Sequence, residues 1–366
     1  MPRKSRENPE IRAFILEHVS DHPGDIRSVT AKHFKVNSVT IARYLRKLVD
    51  EGALATSGGE TKARRYHLAV TKAETFVFDL SRCRDEGDIW REKIAPLLAD
   101  LPENVLYFCQ YGSNEMMNNA IDHSGGAHLT VRVSRDAVSV TIIIQDDGIG
   151  IFEKIRRDYN LDDPRHALLE LSKGKLTTDP DKHSGEGIFF TSRMFDDFSI
   201  WSGGLFFRRF AEHDDDWLIE VTDRSEDFHG TYITMQINVN STRTAEQLFN
   251  KYANDDRGFS RTHVPVRLAR YGNEQLVSRS QARRVLARFN KFSEVILDFK
   301  DVPRIGQAFA DEIFRVFRRE HPETSILWTR ASPEVRQMID HVTKAVEPSA
   351  PPASAEPQPS QTEDDT

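Results

Sequence analysis

The chain has 366 residues, 38% hydrophobic and 29% charged, with a net charge of −7, which is the profile of a globular protein with room for two or three domains. No apolar run approaches the ~20 residues of a membrane helix. The start, MPRKSRENPE, leads into an amphipathic segment rather than a secretory core, so a cytoplasmic protein without a membrane partner is expected. The two cysteines, Cys83 and Cys109, lie outside any metal-type spacing, which excludes a disulfide framework and a cysteine-based metal site. Charge is unevenly spread: residues 1–70 hold 13 Lys/Arg and 8 Asp/Glu, a balance of +5, and the remainder carries −12. That asymmetry describes a basic module on an acidic body.

The first 70 residues read as helix, helix, turn, helix, hairpin. IRAFILEHVS places Ile11, Phe14, Ile15 and Val19 on a helical stripe, and SVTAKHF makes a short second helix with Ser28 as its cap. After the turn KVN, SVTIARYLRKLVDEGAL is a third helix with Ile41, Leu45 and Leu48 inward. LATSGGETKARRYHLAV alternates around Gly58-Gly59, as a β-hairpin does. This order resembles a winged helix-turn-helix domain. The resemblance implies that the helix from Ser38 enters the major groove of duplex DNA, with Thr40, Arg43, Tyr44 and Lys47 facing it, and that Lys62, Arg64 and Arg65 of the hairpin meet phosphates. The plain alternative is a winged helix used only for protein contacts; the basic balance favours DNA.

Residues 71–240 read as α+β. A strand near ETFVFDL precedes a helix from Asp88 to about Leu98 and the helix containing EMMNNAIDHS. Two antiparallel strands follow, AHLTVRV and AVSVTIIIQ. A polar segment of about 35 residues then runs to Gly187, too long for an ordinary connection and so expected to be functional. Another helix and the strands DFSIWSG, LFFRRFA, WLIEVTD and GTYITMQIN complete the unit. Residues 255–343 alternate strand and helix, a small α/β domain. Residues 344–366, rich in proline, serine and acid, read as a disordered tail.

The stretch from Glu115 to Ser124 carries more polar groups than a core helix tolerates. At helical spacing Glu115, Asn119, Asp122 and His123 share one face, opposite Met116, Met117, Ala120 and Ile121. A carboxylate and an amide one turn apart suit a pocket holding a cation: the amide oxygen of Asn119 is a hard ligand for Mg²⁺, and the Glu115 carboxylate can accept a proton. A half-exposed helix with a solvated face is the simpler reading of that stretch alone. Downstream, TIIIQDDGIGIF puts Asp146 at the end of an apolar strand, where it can accept a hydrogen bond from an exocyclic amine, with Gly148 and Gly150 permitting close backbone approach. HSGEGIFFTSRMF then puts Gly185 and Gly187 at a helix start, a natural anion site.

Taken in order, these motifs resemble those of the GHKL ATPases, the superfamily of gyrase, heat-shock chaperones, histidine kinases and mismatch-repair proteins, over roughly residues 75–240. The resemblance implies a Bergerat-type α/β sandwich that binds ATP with Mg²⁺. It makes Glu115 the general base or water-orienting acid, Asn119 the Mg²⁺ ligand and Asp146 the adenine-reading acid. Gly148 and Gly150 are its flexible partners, and Gly185 and Gly187 hinge a lid over the phosphates. Thr231, in HGTYITMQI, matches the threonine that supports the base or phosphate site. Lys173, Lys175, Lys182 and His183 lie in the lid within reach of phosphates, and His123 is either a phosphate contact or a helix cap.

A self-sufficient histidine kinase carries a phosphoacceptor His beside an acid just before this domain, and residues 71–110 contain no histidine. The one His-acid pair, His213-Asp214, falls between expected strands. SEVILDFKDVPRIGQAFADEIFRVF resembles the STAS domains of anti-sigma antagonists, and more closely a STAS-like family of unknown function. Its turn, Arg304 to Ala308, lacks the phosphorylatable hydroxyl of the antagonists, which leaves docking of a protein partner as its expected role. The whole is therefore expected to be a multidomain α+β and α/β protein: winged helix (1–70), GHKL domain (71–240), STAS-like domain (255–343) and tail (344–366). The expected function is a cytoplasmic, nucleotide-responsive DNA-binding transcription regulator, with a homodimer as one expected state. Two alternatives stay open: a protein kinase of anti-sigma or histidine type acting on a partner, and a clamp-like ATPase on DNA in defence or repair.

Overall fold

The computed structural model describes residues 8–59, 64–82, 85–177, 184–211, 216–220, 229–253, 258–270 and 274–344. Lys62, Lys182, His183, the His213-Asp214 pair and the tail beyond Lys344 lie outside them. Among the described residues no helix is long and apolar enough to cross a membrane.

The chain opens with α1 (Pro9–His18), α2 (Ile26–Phe34) and α3 (Ser38–Asp50), followed by the antiparallel pair β1 (Leu54–Ser57) and β2 (Arg65–Leu68). Asn37 caps α3 by accepting the Val39 N–H at 2.8 Å, whereas Ser28, expected to cap the second helix, lies inside α2, which starts after Asp25, and its hydroxyl donates back to Asp25 O. The stripe Ile41, Leu45 and Leu48 meets Ile11, Ile15, Val19 and Ile26 in a core of its own. That core is small, and its contact with the rest of the molecule in this cluster is through Ala137.

β3 (Lys72–Asp79) begins a seven-stranded, wholly antiparallel sheet ordered β3-β4-β5-β9-β6-β7-β8. Between β3 and β4 (His128–Arg135) run α4 (Glu86–Ile89), continuous through a π turn with α5 (Ala95–Leu98), and then the 21-residue α6 (Glu103–His123). β5 (Ser139–Asp146) leads into α7 (Ile151–Asp158), α8 (His166–Lys173) and α9 (Gly187–Met194). The remaining strands are β6 (Asp197–Ser202), β7 (Leu205–Phe210), β8 (Asp216–Glu220) and β9 (Thr231–Asn238). α9 lies close against α6: a Cβ on Gly112 would stand 2.4 Å from the Phe195 ring, so only glycine permits that spacing.

The segment expected to be a long polar connection holds two helices. Its polarity misled because α8 buries its charges as pairs: Glu170 and Lys173 are 4% and 0% exposed and bonded to each other at 2.6 Å. Ala167, Leu168, Leu169 and Leu171 are apolar, and with His166 and Ser172 all eight residues of the helix are buried. Burial on every side, rather than amphipathicity, removes the helical period on which sequence reading depends.

α10 (Ala245–Tyr252), started by the reciprocal Thr244–Gln247 capping box, leads to a parallel sheet of β10 (Arg261–Pro265), β11 (Glu294–Asp298) and β12 (Ser325–Thr329). α11 (Arg279–Leu286) crosses from β10 to β11. α12 (Gln307–Asp311), running through a π turn into α13 (Arg318–Glu320), crosses from β11 to β12, and α14 (Pro333–Lys344) closes the unit. One hydrophobic core spans both sheets, from Leu129 and Ile142 through Leu168 and Phe189 to Val264 and Phe289. The two sheets therefore share an interior.

Candidate functional site

Period-two alternation decides where Asp146 goes. Val140, Ile142, Ile144 and Asp146 alternate onto the buried face of β5, so a carboxylate ends a row of core residues. It is 6% exposed, and burial pushes its carboxyl above the usual range. Opposing the burial, it accepts the Gly148 N–H at 2.9 Å and a hydrogen bond from Thr231. Thr231 stands directly across from it in the β5–β9 ladder and also accepts the Ile151 N–H, at 3.1 Å. A carboxylate has about four acceptor positions, so capacity remains for a ligand.

Asp146 and Thr231 line a cavity of about 340 Å³. α6 contributes Glu115, Asn119 and His123, one turn apart along one face, together with Asn118. Asp122, placed on the same face by the sequence, is exposed and does not border the cavity. Ile144, Ile151, Ile155, Ile188 and Ile233 add apolar walls. A space with flat apolar walls, one buried acceptor and a carboxylate–amide pair suits a base at one end and a polar group at the other.

The glycines behave individually. Gly150 has φ +85°, and a Cβ there would lie 2.4 Å from Ser202 Oγ, so both conformation and space demand glycine. Gly187 is needed for approach: a Cβ would sit 1.9 Å from Glu115 Oε2, which places the first turn of α9 against that carboxylate. Gly185 lines the cavity, whereas Gly148 packs against Ser124 and does not.

Lys175 and Lys173 point elsewhere. Lys175 Nζ donates to Lys291 O at 2.9 Å and lies over the rings of Phe259 and Phe292, and burial lowers its pKa. Lys173 Nζ donates to Arg284 O and Ala287 O besides Glu170. Both expected phosphate contacts instead bind the parallel-sheet unit, because adjoining carbonyls there offer acceptors that phosphates would otherwise supply. The lysine that does line the cavity among the described residues is Lys154 on α7, bonded to Asp158 at 3.0 Å. Beside it Tyr159 lines the cavity with a buried hydroxyl that has no hydrogen-bond partner among the described residues. Sequence reading missed both because α7 was taken as part of a loop; the spacing of Phe152 and Ile155, its buried residues, was the available signal.

In the N-terminal unit, Arg43 and Lys47 of α3 and Arg64 and Arg65 at the start of β2 are exposed, and Thr40 is partly so. Lys47 pairs with Glu51 at 3.6 Å. Tyr44 departs from expectation: it is half-buried against the local core, and its hydroxyl accepts the Asn8 N–H at 2.7 Å. Its place one residue before Leu45 turns the ring towards α1 rather than outward.

The donor set also fits Mg²⁺, which takes one or two protein oxygens and completes its shell with water and phosphate. The Asn119 amide oxygen is such a ligand, with the Glu115 carboxylate beside it left free to accept a proton, and the Tyr159 hydroxyl, which has no hydrogen-bond partner among the described residues, can donate to a phosphate. Among the described residues no cluster of three His, Cys, Asp or Glu is placed to hold a metal by protein groups.

Comparison with known families agrees on two segments. Residues 89–205 match a histidine kinase-like ATPase domain, and residues 281–336 match a STAS-like domain of unknown function. A comparison with curated proteins returns no match.

Proposed function

From a chain that carries a histidine kinase-like ATPase domain and a STAS-like domain, we propose a nucleotide-responsive DNA-binding regulator: ATP with Mg²⁺ fills the cavity, and residues 1–70 form a winged helix that binds duplex DNA. The observation that carries the nucleotide half is Asp146, a buried acceptor held by Gly148 and Thr231 in an apolar cavity.

Asp146 accepts from the exocyclic amine of adenine, with the isoleucine walls excluding water from the base. Asn119 would hold the metal through its amide oxygen. Mg²⁺ neutralises charge on the phosphates when bound. Glu115 would orient a water or hydroxyl for attack on the γ-phosphorus and take its proton, with ADP leaving as the β–γ phosphoanhydride bond breaks. Lys154, Tyr159, His123 and the N–H groups after Gly185 and Gly187 face the phosphate end. Asp158 lies one turn from Lys154 and holds it in a fixed direction. The support for DNA is the +5 balance of residues 1–70 and the exposed Arg43, Arg64 and Arg65.

Two measurements on the full chain test this reading. With γ-labelled ATP, label retained on a protein identifies a kinase, released phosphate an ATPase, and bound but unchanged ATP a binding switch; no binding of ATP under Mg²⁺ overturns the nucleotide half. Electrophoretic shifts on fragments of neighbouring genomic DNA should show retention that falls steeply with salt. Arg64→Ala should weaken all sequences alike, and Arg43→Ala should cost about 1–3 kcal/mol of discrimination between sites. Absence of salt-sensitive retention makes the N-terminal unit a protein-docking module.

A further inference from the structure

Tyr159 is the one residue lining the larger cavity whose buried polar atom has no hydrogen-bond partner among the described residues. It stands at the C-terminal end of α7, where the backbone sets its direction. Its own N–H returns to Ile155 O at 3.0 Å, the Leu161 N–H returns to Arg156 O at 2.8 Å, and Asn160 between them turns the chain at φ +50°. The half-buried ring packs against the large core, with the Arg288 guanidinium carbon 5.7 Å from its centroid. Arg288 is itself tied to Glu170, Gly174 O and Lys175 O, so the group behind the ring is fixed as well.

A hydroxyl withdrawn from water without a partner costs stability, and native interiors rarely keep one. Phenylalanine would fill the same ring space without that cost. The hydroxyl is also held in its donor form: burial above all raises its pKa, Arg288 opposes this, and Glu170 and Asp158 add to it. A protonated phenol facing a cavity calls for an acceptor. Phosphoryl oxygens are acceptors that carry charge, and hydrogen bonds to charged oxygens are roughly twice as strong as those to neutral ones. Lys154, on the same wall of the cavity, adds attraction for such a group.

We propose that the Tyr159 hydroxyl donates to a phosphoryl oxygen of the nucleotide, and so selects a phosphorylated ligand over the bare nucleoside at the expense of stability in the free protein. The inference rests on the nucleotide reading of the cavity and adds a specificity-determining residue to it. It also gives the parallel-sheet unit a part in the site, since Arg288, from the segment that matches the STAS-like family, lies behind the ring that makes the contact.

The test compares the full-length wild type with Tyr159→Phe by thermal unfolding and by calorimetry with ATP under Mg²⁺ and with adenosine. The nucleotide-free variant should melt at the same temperature as the wild type or higher, because it keeps the ring and drops the unpaired group. Its affinity for ATP should fall about tenfold or more, as the loss of one hydrogen bond to a charged oxygen does, while its affinity for adenosine stays unchanged. A structural role predicts the opposite sign for the free protein: a lower melting temperature of the nucleotide-free variant means that the hydroxyl has a partner without ligand, and overturns the proposal. Equal losses for ATP and adenosine overturn the phosphate assignment and put the contact at the sugar or the base. If the wild type binds ATP and Tyr159→Phe binds it equally, this inference alone fails; if the wild type binds no ATP, the nucleotide reading fails and this inference with it.

Discussion

Asp146 shows how one side chain can be costly and useful together. Its burial penalises the charge, and the Gly148 N–H and the Thr231 bond preserve it as an oriented acceptor. Asp146→Asn substitutes a donor for one acceptor oxygen, so the thermal shift produced by ATP with Mg²⁺, about 2.7 kcal/mol at ~100 times the dissociation constant, should vanish in scanning fluorimetry. Glu115→Gln keeps shape and loses basicity. Nucleotide affinity should persist, and γ-phosphate turnover measured with labelled ATP should fall ~10²–10⁴-fold, the span of a general base. Gly187→Ala has a steric origin: its Cβ would meet Glu115 Oε2 at 1.9 Å. The clash is with the end of a flexible side chain, so the Glu115 carboxylate is pushed aside, and the variant should resemble the Glu115 variant in turnover.

Between residue and domain, the element that matters is α8 with the segment that follows it. Arg288, itself at φ +65°, donates from Nε to Glu170 Oε2, from Nη2 to Glu170 O, and from Nη1 to Gly174 O and Lys175 O. One guanidinium from the parallel-sheet unit thus fixes the last turn of α8 and the start of the chain leading to Gly185. Arg288→Ala leaves Glu170 buried with Lys173 alone. The cost should be about 3 kcal/mol in urea unfolding, the low end for breaking a buried ion pair because one cation remains. ATP affinity should fall with it, since Leu171, within the gripped segment, and Leu176, just after it, line the cavity.

Among the described residues there are two cores. Residues of α1 to β2 form one, and a single larger cluster unites the antiparallel and parallel sheets. Calorimetry should accordingly resolve a small transition from the N-terminal unit and a larger one in which both sheets melt together. Acid should act on the larger. His166, 4% exposed at the start of α8, has its pKa lowered to about 4 by burial first and by Arg284 and Arg165, against the pull of Asp162 and Asp163. In the unfolded chain it binds a proton near 6.5 and in the folded one near 4. Its contribution to stability is therefore complete above about pH 6.5 and is lost as pH falls to about 4. The melting temperature of the larger transition should drop across that window, and His166→Phe should flatten the drop.

Periodicity in the chain determined the strands, the three N-terminal helices, the order of the parallel unit and the face of α6 bearing Glu115 and Asn119, because each of these elements has one wet side and one dry side. The same alternation put Asp146 and Thr231 on the buried face, although only the β5–β9 register made them neighbours. What tertiary structure alone decided lies where both sides are dry. α8 has no polar face to betray it, Lys173 and Lys175 found carbonyls more than a hundred residues downstream, and Arg193 and Arg209 came together across a helix and a strand. A charge is read from sequence as facing water; whether it faces a buried partner depends on contacts that no local pattern encodes.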